Sequence, residues 1–215
     1  MKYAKKILQL ENDLEEKVKL SQSISIGFCA PGPTYVLDEL VTEGKMPTYR
    51  HGKYVNHETL VNDLREGRYQ MIITDTPCQE IDIYCKSFVS EQLYVSTPYE
   101  HPLTRFESTT FNDLNGNNFL MVEDIGVWKQ LVEKNMPKSK FLLQDSVDAL
   151  TQIVLASSLL SFATSITNDR LHKDESRVYI PITDPSACMH FYICCLKEKE
   201  EYLQPIIENM VKGIQ

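Results

Sequence analysis

Apolar positions in the first part of the chain switch between a strand period and a helix period. The segment 23–30, SISIGFCA, is an apolar β-rich run that ends in a Pro/Gly turn. Helical patterns follow in PTYVLDELVTEG, which stops at Gly44, and in HETLVNDLREGRY, which stops at Gly67. Strands are predicted in MPTYRHGKYV and YQMIITDTP. The order β-α-β-α-β with short connections predicts a parallel α/β sheet.

The second part of the chain repeats this order after a fourth strand, SEQLYVSTP. Its predicted elements are, in chain order, FNDLNG (short helix or turn), NNFLMVED (strand), GVWKQLVEKN (helix), SKFLLQD (strand), SVDALTQIVLASS (helix), LLSFATS (strand), a polar helix or loop at 168–176, and RVYIPI (strand). The helix in SVDALTQIVLASS is predicted to begin with Asp145 or Ser146 as its N-cap. The spacing of its apolar residues predicts that four side chains face the core: Val147, Leu150, Ile153 and Val154. A last strand, MHFYICCL, and a last helix, EEYLQPIIENMVKGI, remain, and that helix is predicted to return to the first lobe.

These elements predict an α/β protein with two Rossmann-like lobes joined by a crossover hinge. Lobe I is expected to comprise residues 23–97 plus 192–215, and lobe II residues 98–191. The stretch TPYEHPL holds a Glu100-His101 pair that could act as a general base. However, no nucleophile signature accompanies it, and the following proline favours an extended turn. We therefore interpret Pro98, His101 and Pro102 as the hinge, with His101 as a cap.

Residues 1–20 have a different pattern, that of an isolated charged helix. Its apolar side chains form a narrow seam typical of a coiled-coil strand: Tyr3, Ile7, Leu10, Leu14 and Val18. A seam without a core of its own predicts a partner helix, so this segment is interpreted as a dimerisation helix. The alternative is a frayed N-terminal arm.

Charge and composition narrow the possible functions. The chain has 22 basic and 30 acidic side chains, a net charge of −8, which disfavours DNA binding by the chain unaided. No apolar run is long enough for a transmembrane helix and no secretory signal begins the sequence, so we expect a cytoplasmic protein without membrane contact. No motif predicts a metal or a cofactor. The six cysteines are expected to be reduced packing residues, since none forms a C-x-x-C motif.

Two lobes of this kind enclose a cleft, and ligands of parallel α/β sheets lie beyond the carboxyl ends of the strands, near helix N-termini. This rule selects eleven candidate effector-binding residues: Pro33, Thr34, Thr74, Thr76, Glu123, Gly126, Val127, Gln144, Ser146, Thr164 and Ser165. Their mostly neutral hydroxyl and amide groups favour a small polar or anionic ligand, held by hydrogen bonds. For each of them the alternative is a helix cap or a turn residue. Trp128 could stack on a ligand or pack in the core.

Four segments in order resemble the effector-binding (substrate-binding) domain of LysR-type transcriptional regulators. They are ISIG, LVNDLREGRYQMIIT, EQLYVSTPYEHPL and SVDALTQIVLASSLLSFATS, so that the resemblance extends from about Ser23 to the end. Two positions depart from the family pattern: Ala156-Ser157-Ser158 replaces a G-x-G turn, and Gln70 replaces a common aspartate. KYAKKILQLENDLEEKV is similar to the end of the family's linker helix, which suggests a chain truncated within the linker.

The resemblance implies a periplasmic-binding-protein type 2-like fold and a regulatory rather than an enzymatic role. It implies a small-molecule effector in the cleft, a homodimer or tetramer, and DNA contact only through a winged helix-turn-helix not present in this chain. Family dimers often pair the first lobe of one subunit with the second lobe of the other. Alternatives are a stand-alone solute-binding protein, an enzyme on a two-lobe frame, and a redox sensor, for which the spacing of Cys78 and Cys85 is suitable.

Overall fold

The computed structural model describes residues 23–167 and 177–213. The predicted helix at 1–20 and the polar segment at 168–176 therefore lie outside the described residues. The elements, in chain order, are β1 (Ile24–Phe28), α1 (Gly32–Thr42), β2 (Tyr49–Arg50), α2 (His57–Arg65), β3 (Met71–Thr74), β4 (Ile83–Pro98), a 3-10 turn (Pro102–Arg105), α3 (Phe111–Leu114), β5 (Asn118–Val122), α4 (Val127–Asn135), β6 (Lys140–Gln144), α5 (Val147–Leu155), β7 (Leu160–Thr164), β8 (Arg177–Pro181), a 3-10 turn (Pro185–Ala187), β9 (Cys188–Leu196) and α6 (Lys197–Lys212).

The first lobe is built on β1, which pairs in parallel with β2 on one side and with β3 on the other. Strand β3 then pairs with β9, which runs antiparallel to it. Every residue of β1 and β3 is buried, as expected for strands covered on both faces. The helix α1 contributes Leu37 and Leu40 to this core, and α2 contributes Leu60 and Leu64. The predicted parallel unit is confirmed.

The second lobe repeats the parallel arrangement around β5, which lies between β6 and β7. Strands β7 and β8 both pair antiparallel with the end of β4. The aromatic core of this lobe is stacked, with the Phe119 ring 4.8 Å from Phe162 and 5.8 Å from Phe141. The predicted α/β fold with two lobes is thus confirmed.

The change of lobe occurs inside β4, at Gln92 and Leu93. Residues up to Gln92 pair with β9, whereas Leu93 to Pro98 pair with β7 and β8. The side-chain amide of Gln92 donates to the carbonyl oxygens of Ile182 and Ala187, at 2.8 and 3.2 Å, and so fixes the point of change.

The change of pairing partners precedes the predicted boundary and hinge at Pro98, His101 and Pro102, and the hinge role stays a prediction. Pro98 is the last residue of a continuous strand, because a proline can occupy a strand end without breaking the ladder before it. His101 instead caps the local 3-10 turn, since its Nδ1 accepts from the Leu103 amide at 3.2 Å. All of β9 from Cys188 pairs with first-lobe strands, so residues 188–191 also belong to lobe I.

The last helix, α6, packs on the first lobe as predicted. Leu203, Ile207 and Met210 form its buried face, against β4 and β9. In α5, Ser146 is the cap and Val154 is buried. The inward orientation predicted for Ile153 is wrong, because its side chain is 37% exposed. None of the helices within 23–167 and 177–213 has the length and apolar character needed to cross a bilayer.

Candidate functional site

A cavity of about 190 Å³ lies where the two lobes meet. Pro31, Tyr35 and Tyr54 form its wall in the first lobe. The residues at the change of lobe, Glu91 and Leu93, line it from β4. The second lobe supplies a mostly apolar wall: Leu120, Met121, Val122, Ile125, Trp128, Val132, Val147, Leu150, Val154, Phe162 and Ala163. A cleft or cavity with a mostly apolar lining and a few polar groups is the usual form of a small-molecule site.

The buried carboxyl group of this cavity belongs to Glu91, which is only 1% exposed. Its Oε2 accepts a hydrogen bond from the indole Nε1 of Trp128 at 3.0 Å, and it also bonds the Thr164 hydroxyl. Burial raises the pKa of Glu91, while these two hydrogen bonds act in the opposite direction. The carboxyl group is thus held in place from the second lobe, although it is carried by a strand that both lobes share.

The same carboxyl group lies against the N-terminus of α1. A Cβ atom placed on Gly32, the first residue of that helix, would be 2.3 Å from Glu91 Oε1. No side chain caps this helix end. Because a helix N-terminus carries a partial positive charge, it stabilises the ionised form of an adjacent carboxyl group. Because a Cβ atom would collide with the carboxyl group, glycine at position 32 is required for the close approach of Glu91 to this helix end.

The lobes are joined directly at the N-terminus of α4. The amide of Val127 donates to the carbonyl oxygen of Cys29 in the first lobe, at 2.9 Å. Gly126 precedes it with φ +59°, and a Cβ there would lie 1.9 Å from the same oxygen. A helix N-terminus predicted to bind a ligand is instead engaged in a bond between lobes.

The ionisable groups at the edge of the cavity are acidic. Asp124 lines it beside Tyr54, whose pKa is raised mainly by burial. Among the described residues, no lysine, arginine or histidine lines the cavity. The predicted polar or anionic character of the ligand stays a prediction.

The structure places one of the eleven predicted site residues, Thr164, in the cavity wall. Thr34 and Thr74 are buried and already bonded, to the Pro31 carbonyl at 2.7 Å and to His57 Nδ1 at 2.9 Å. Ser146 caps α5, and the hydroxyl of Ser165 accepts a hydrogen bond from the backbone N–H of Gln92 at 3.0 Å. The others lie outside the wall: Pro33, Thr76, Glu123, Gly126, Val127 and Gln144. Effector binding by these residues stays a prediction.

Sequence reasoning missed Tyr35, Tyr54 and Glu91. The one available signal was the acidic residue inside the apolar strand pattern SEQLYV, because a buried charged residue requires specific partners. Trp128 packs in the core, with its side chain 3% exposed, and it also lines the cavity; stacking on a ligand stays a prediction.

Three thiols meet in the first lobe, away from this cavity. Cys194 donates to Cys85 across 3.0 Å between sulfur atoms, and the two residues are directly opposite in the β4–β9 ladder. Cys78 bonds both, which brings together the predicted pair Cys78 and Cys85. The hydrogen bond from Cys194, followed by that from Cys78, lowers the pKa of the Cys85 thiol. In the described part of the chain, no group of three or more His, Cys, Asp or Glu residues could hold a metal ion.

Comparison with known proteins identifies a family and a set of structural relatives. A family model described as LysR substrate binding domain matches residues 53–212. The reduced OxyR regulatory domain from Pseudomonas aeruginosa superposes with a TM-score of 0.68 at 19% identity, covering 92% of this chain and 98% of that one. The BenM effector binding domain with its effector benzoate gives 0.64 at 19% identity, covering 88% and 90%. Full-length BenM gives 0.66 at 18% identity, covering 98% and 75%. No curated protein matches the sequence.

Proposed function

Because the chain belongs to the family of LysR substrate-binding domains, which is regulatory rather than catalytic, we propose that a small metabolite binds the cavity between its lobes and acts as an effector. The observation that carries the proposal is a cavity of about 190 Å³ with walls from both lobes and a buried polar group, Glu91, at the point where the chain changes lobe. The BenM effector binding domain, which has a similar fold, was solved with its effector benzoate, and this supports a small-molecule ligand.

The geometry explains how such a ligand would be sensed. A molecule in the cavity touches Tyr35 of the first lobe and Trp128 of the second, and so contributes contacts that exist only when the lobes are closed. A ligand shifts the arrangement of the lobes only as far as it binds the two arrangements with different affinity. We propose that this shift is transmitted to a winged helix-turn-helix that contacts DNA outside these residues.

The experiment fills the cavity with a side chain. Ala163 lines the wall and is buried, so Ala163→Leu puts an isobutyl group into the space. The same substitution at the exposed Ala156, in the turn after α5, is the matched control. Pooled metabolites are screened by native mass spectrometry and thermal shift. We expect a bound mass and a raised Tm in the unmodified chain and in Ala156→Leu, and neither in Ala163→Leu. A ligand that binds Ala163→Leu unchanged would place the effector elsewhere.

We further propose a homodimer, or a tetramer built from it, through the exposed apolar side chains of β6 and α5 in the second lobe. Edge strand β6 and helix α5 expose four large apolar side chains: Leu142, Leu143, Ile153 and Leu155. Leu155 is 57% exposed, and Leu155→Asp is expected to lower the molar mass measured by light scattering to that of one chain. Ile81→Asp, at a 90% exposed position of the first lobe, is the control and is expected to leave the assembly unchanged. If Leu155→Asp keeps the assembly, this surface is not the interface.

A second candidate function is thiol-based redox sensing, which the meeting of Cys78, Cys85 and Cys194 favours. The Cys85 thiolate attacks one oxygen of a peroxide and becomes a sulfenic acid, while the other oxygen leaves as water or alcohol after protonation. The Cys194 thiol then displaces the sulfenic oxygen as water and forms a disulfide.

The product is distinguishable by mass. Hydrogen peroxide is expected to lower the mass by about two daltons, for the two hydrogens lost on disulfide formation. The loss should persist in Cys188→Ser, which lies outside the thiol group, and vanish in Cys85→Ser. An unchanged mass in the unmodified chain would rule out this function.

A further inference from the structure

The charged side chains that line the cavity are all acidic. Two carboxyl groups, Glu91 and Asp124, are among its lining groups, and within the described residues no side chain of the opposite charge lines it. A ligand carboxylate placed here would face both of them without a cation, in a space where water screens charges poorly. The lining therefore selects against anions.

Glu91 has polar partners and lies against the N-terminus of α1, but in the described part of the chain it has no cationic side chain beside it. The indole N–H of Trp128 and the hydroxyl of Thr164 are neutral donors, and none of the ion pairs within the described residues involves Glu91. A carboxylate has about four acceptor positions, so two donors leave it room for further bonds. A buried carboxylate without a cation is a group that a charged donor stabilises strongly.

The remaining wall suits an apolar body with a cationic end. Four aromatic residues line the space: Tyr35, Tyr54, Trp128 and Phe162. Aromatic faces attract cations, most strongly where water is excluded. A volume of about 190 Å³ exceeds the ~150 Å³ of a cavity known to hold benzene, so one ring with a short chain fits.

From these observations, and accepting the cavity as the effector site proposed above, we infer that its ligand is a small amine with an apolar body. The protonated nitrogen pairs with the carboxylate of Glu91, and the body lies against the aromatic wall. Carboxylic acids of the same size are excluded.

The test compares three probes that share a phenyl ring and differ in the polar group: phenethylamine, phenethyl alcohol and phenylacetate. Isothermal titration calorimetry with the full 215-residue chain measures each affinity. We expect the amine to bind about tenfold or more tightly than the alcohol, and phenylacetate to bind more weakly than both. The Glu91→Gln variant should lose the preference for the amine. Glu133→Gln, at an exposed position of α4 outside the cavity, is the matched control and should keep it.

The outcomes separate this inference from the function on which it rests. If phenylacetate or the alcohol binds as tightly as the amine, the inference about charge is wrong, while the cavity remains a small-molecule site. If none of the three probes binds at millimolar concentration, the cavity itself is not the site, and the proposed effector function fails there. The three probes are compared in the unmodified chain, so the charge preference of the cavity is tested even if Glu91→Gln does not fold.

Discussion

Replacing Gly126 by alanine tests whether the two lobes are closed as the structure shows. Gly126 has φ +59° and ψ −134° at the N-terminus of α4. A Cβ atom there would lie 1.9 Å from the carbonyl oxygen of Cys29 and 2.9 Å from the Cβ of Tyr54. The substitution therefore has two effects: it strains the backbone at Gly126, and it forces the first lobe away from the second.

The magnitude follows from these two contributions. A positive φ costs alanine about 1–2 kcal/mol. Relief of the collision breaks the Val127–Cys29 hydrogen bond, and a carbonyl oxygen left buried without a partner costs about 1–3 kcal/mol. Gly67→Ala is the control, because Gly67 has φ +74° but nothing within 4 Å of its built Cβ. We expect Gly126→Ala to exceed Gly67→Ala by roughly 1–3 kcal/mol in the free energy of unfolding.

Urea unfolding followed by circular dichroism measures this difference directly. Trp128, the single tryptophan of the chain, lies two residues after Gly126, so its fluorescence reports the environment of α4 in the folded protein. A red-shifted emission before unfolding is expected in Gly126→Ala only. Equal costs for the two alanine variants, with unchanged emission, would refute the closed contact between the lobes.

The remaining predictions concern buried polar groups. Burial raises the pKa of Glu91, so its contribution to stability is present in full below the ordinary glutamate value and is lost as pH rises through the folded pKa. The advantage of the unmodified chain over Glu91→Gln should therefore shrink as pH rises above 4.5, and a constant difference in urea titrations would contradict this. Trp128→Phe removes the indole donor to Glu91 and should destabilise the fold by about 1–3 kcal/mol, measured by the same urea unfolding. Arg177→Met should lower the free energy of unfolding by at least about 3 kcal/mol, because Arg177 donates to Ser96 and to the Leu159 carbonyl at 2.7 to 2.9 Å. Arg105→Met, at an exposed position, is the control and should lower it by less than about 0.5 kcal/mol.

Most elements of the fold could be predicted because their signals are local. The helix predicted at 33–44 is observed at 32–42, and the strand predicted within 23–30 is observed at 24–28. Turn residues and glycine stops fix such boundaries within a few positions. The buried face of α5 was predicted less accurately, because Ile153 fits the helical period of apolar residues and is still exposed to solvent. Periodicity predicts a common face but not what covers it.

The change of lobe could not be predicted from local signals. Proline residues at 98 and 102 marked an apparent break, but β4 runs on to Pro98. Its halves differ only in their partners, β9 for one and β7 with β8 for the other. Strand pairing over such separations depends on the whole fold, and a short sequence window does not contain it.

Of the eleven residues predicted for the site, Thr164 lines the cavity, and effector binding by the set stays a prediction. The rule that ligands lie beyond the carboxyl ends of parallel strands gives the position of the backbone. It does not show whether a polar group there already forms a hydrogen bond with a helix end or with a neighbouring residue. Ser146 caps its own helix, and the amide of Val127 bonds Cys29. Glu91 comes from the middle region of a strand, which that rule does not consider.

The use of these polar groups within the protein bears on how an effector could act. The Val127–Cys29 hydrogen bond joins the two lobes, and a net hydrogen bond contributes only about 1 kcal/mol. A ligand that fits the closed cavity and pairs with Glu91 adds to that small preference. Coupling of about 1–3 kcal/mol corresponds to a change of roughly 5- to 150-fold in the balance between two arrangements. A ligand larger than the cavity would have to separate Val127 from Cys29 and would shift the balance the other way. Under the proposed function, the size of the effector, as well as its charge, decides which arrangement of the lobes it stabilises.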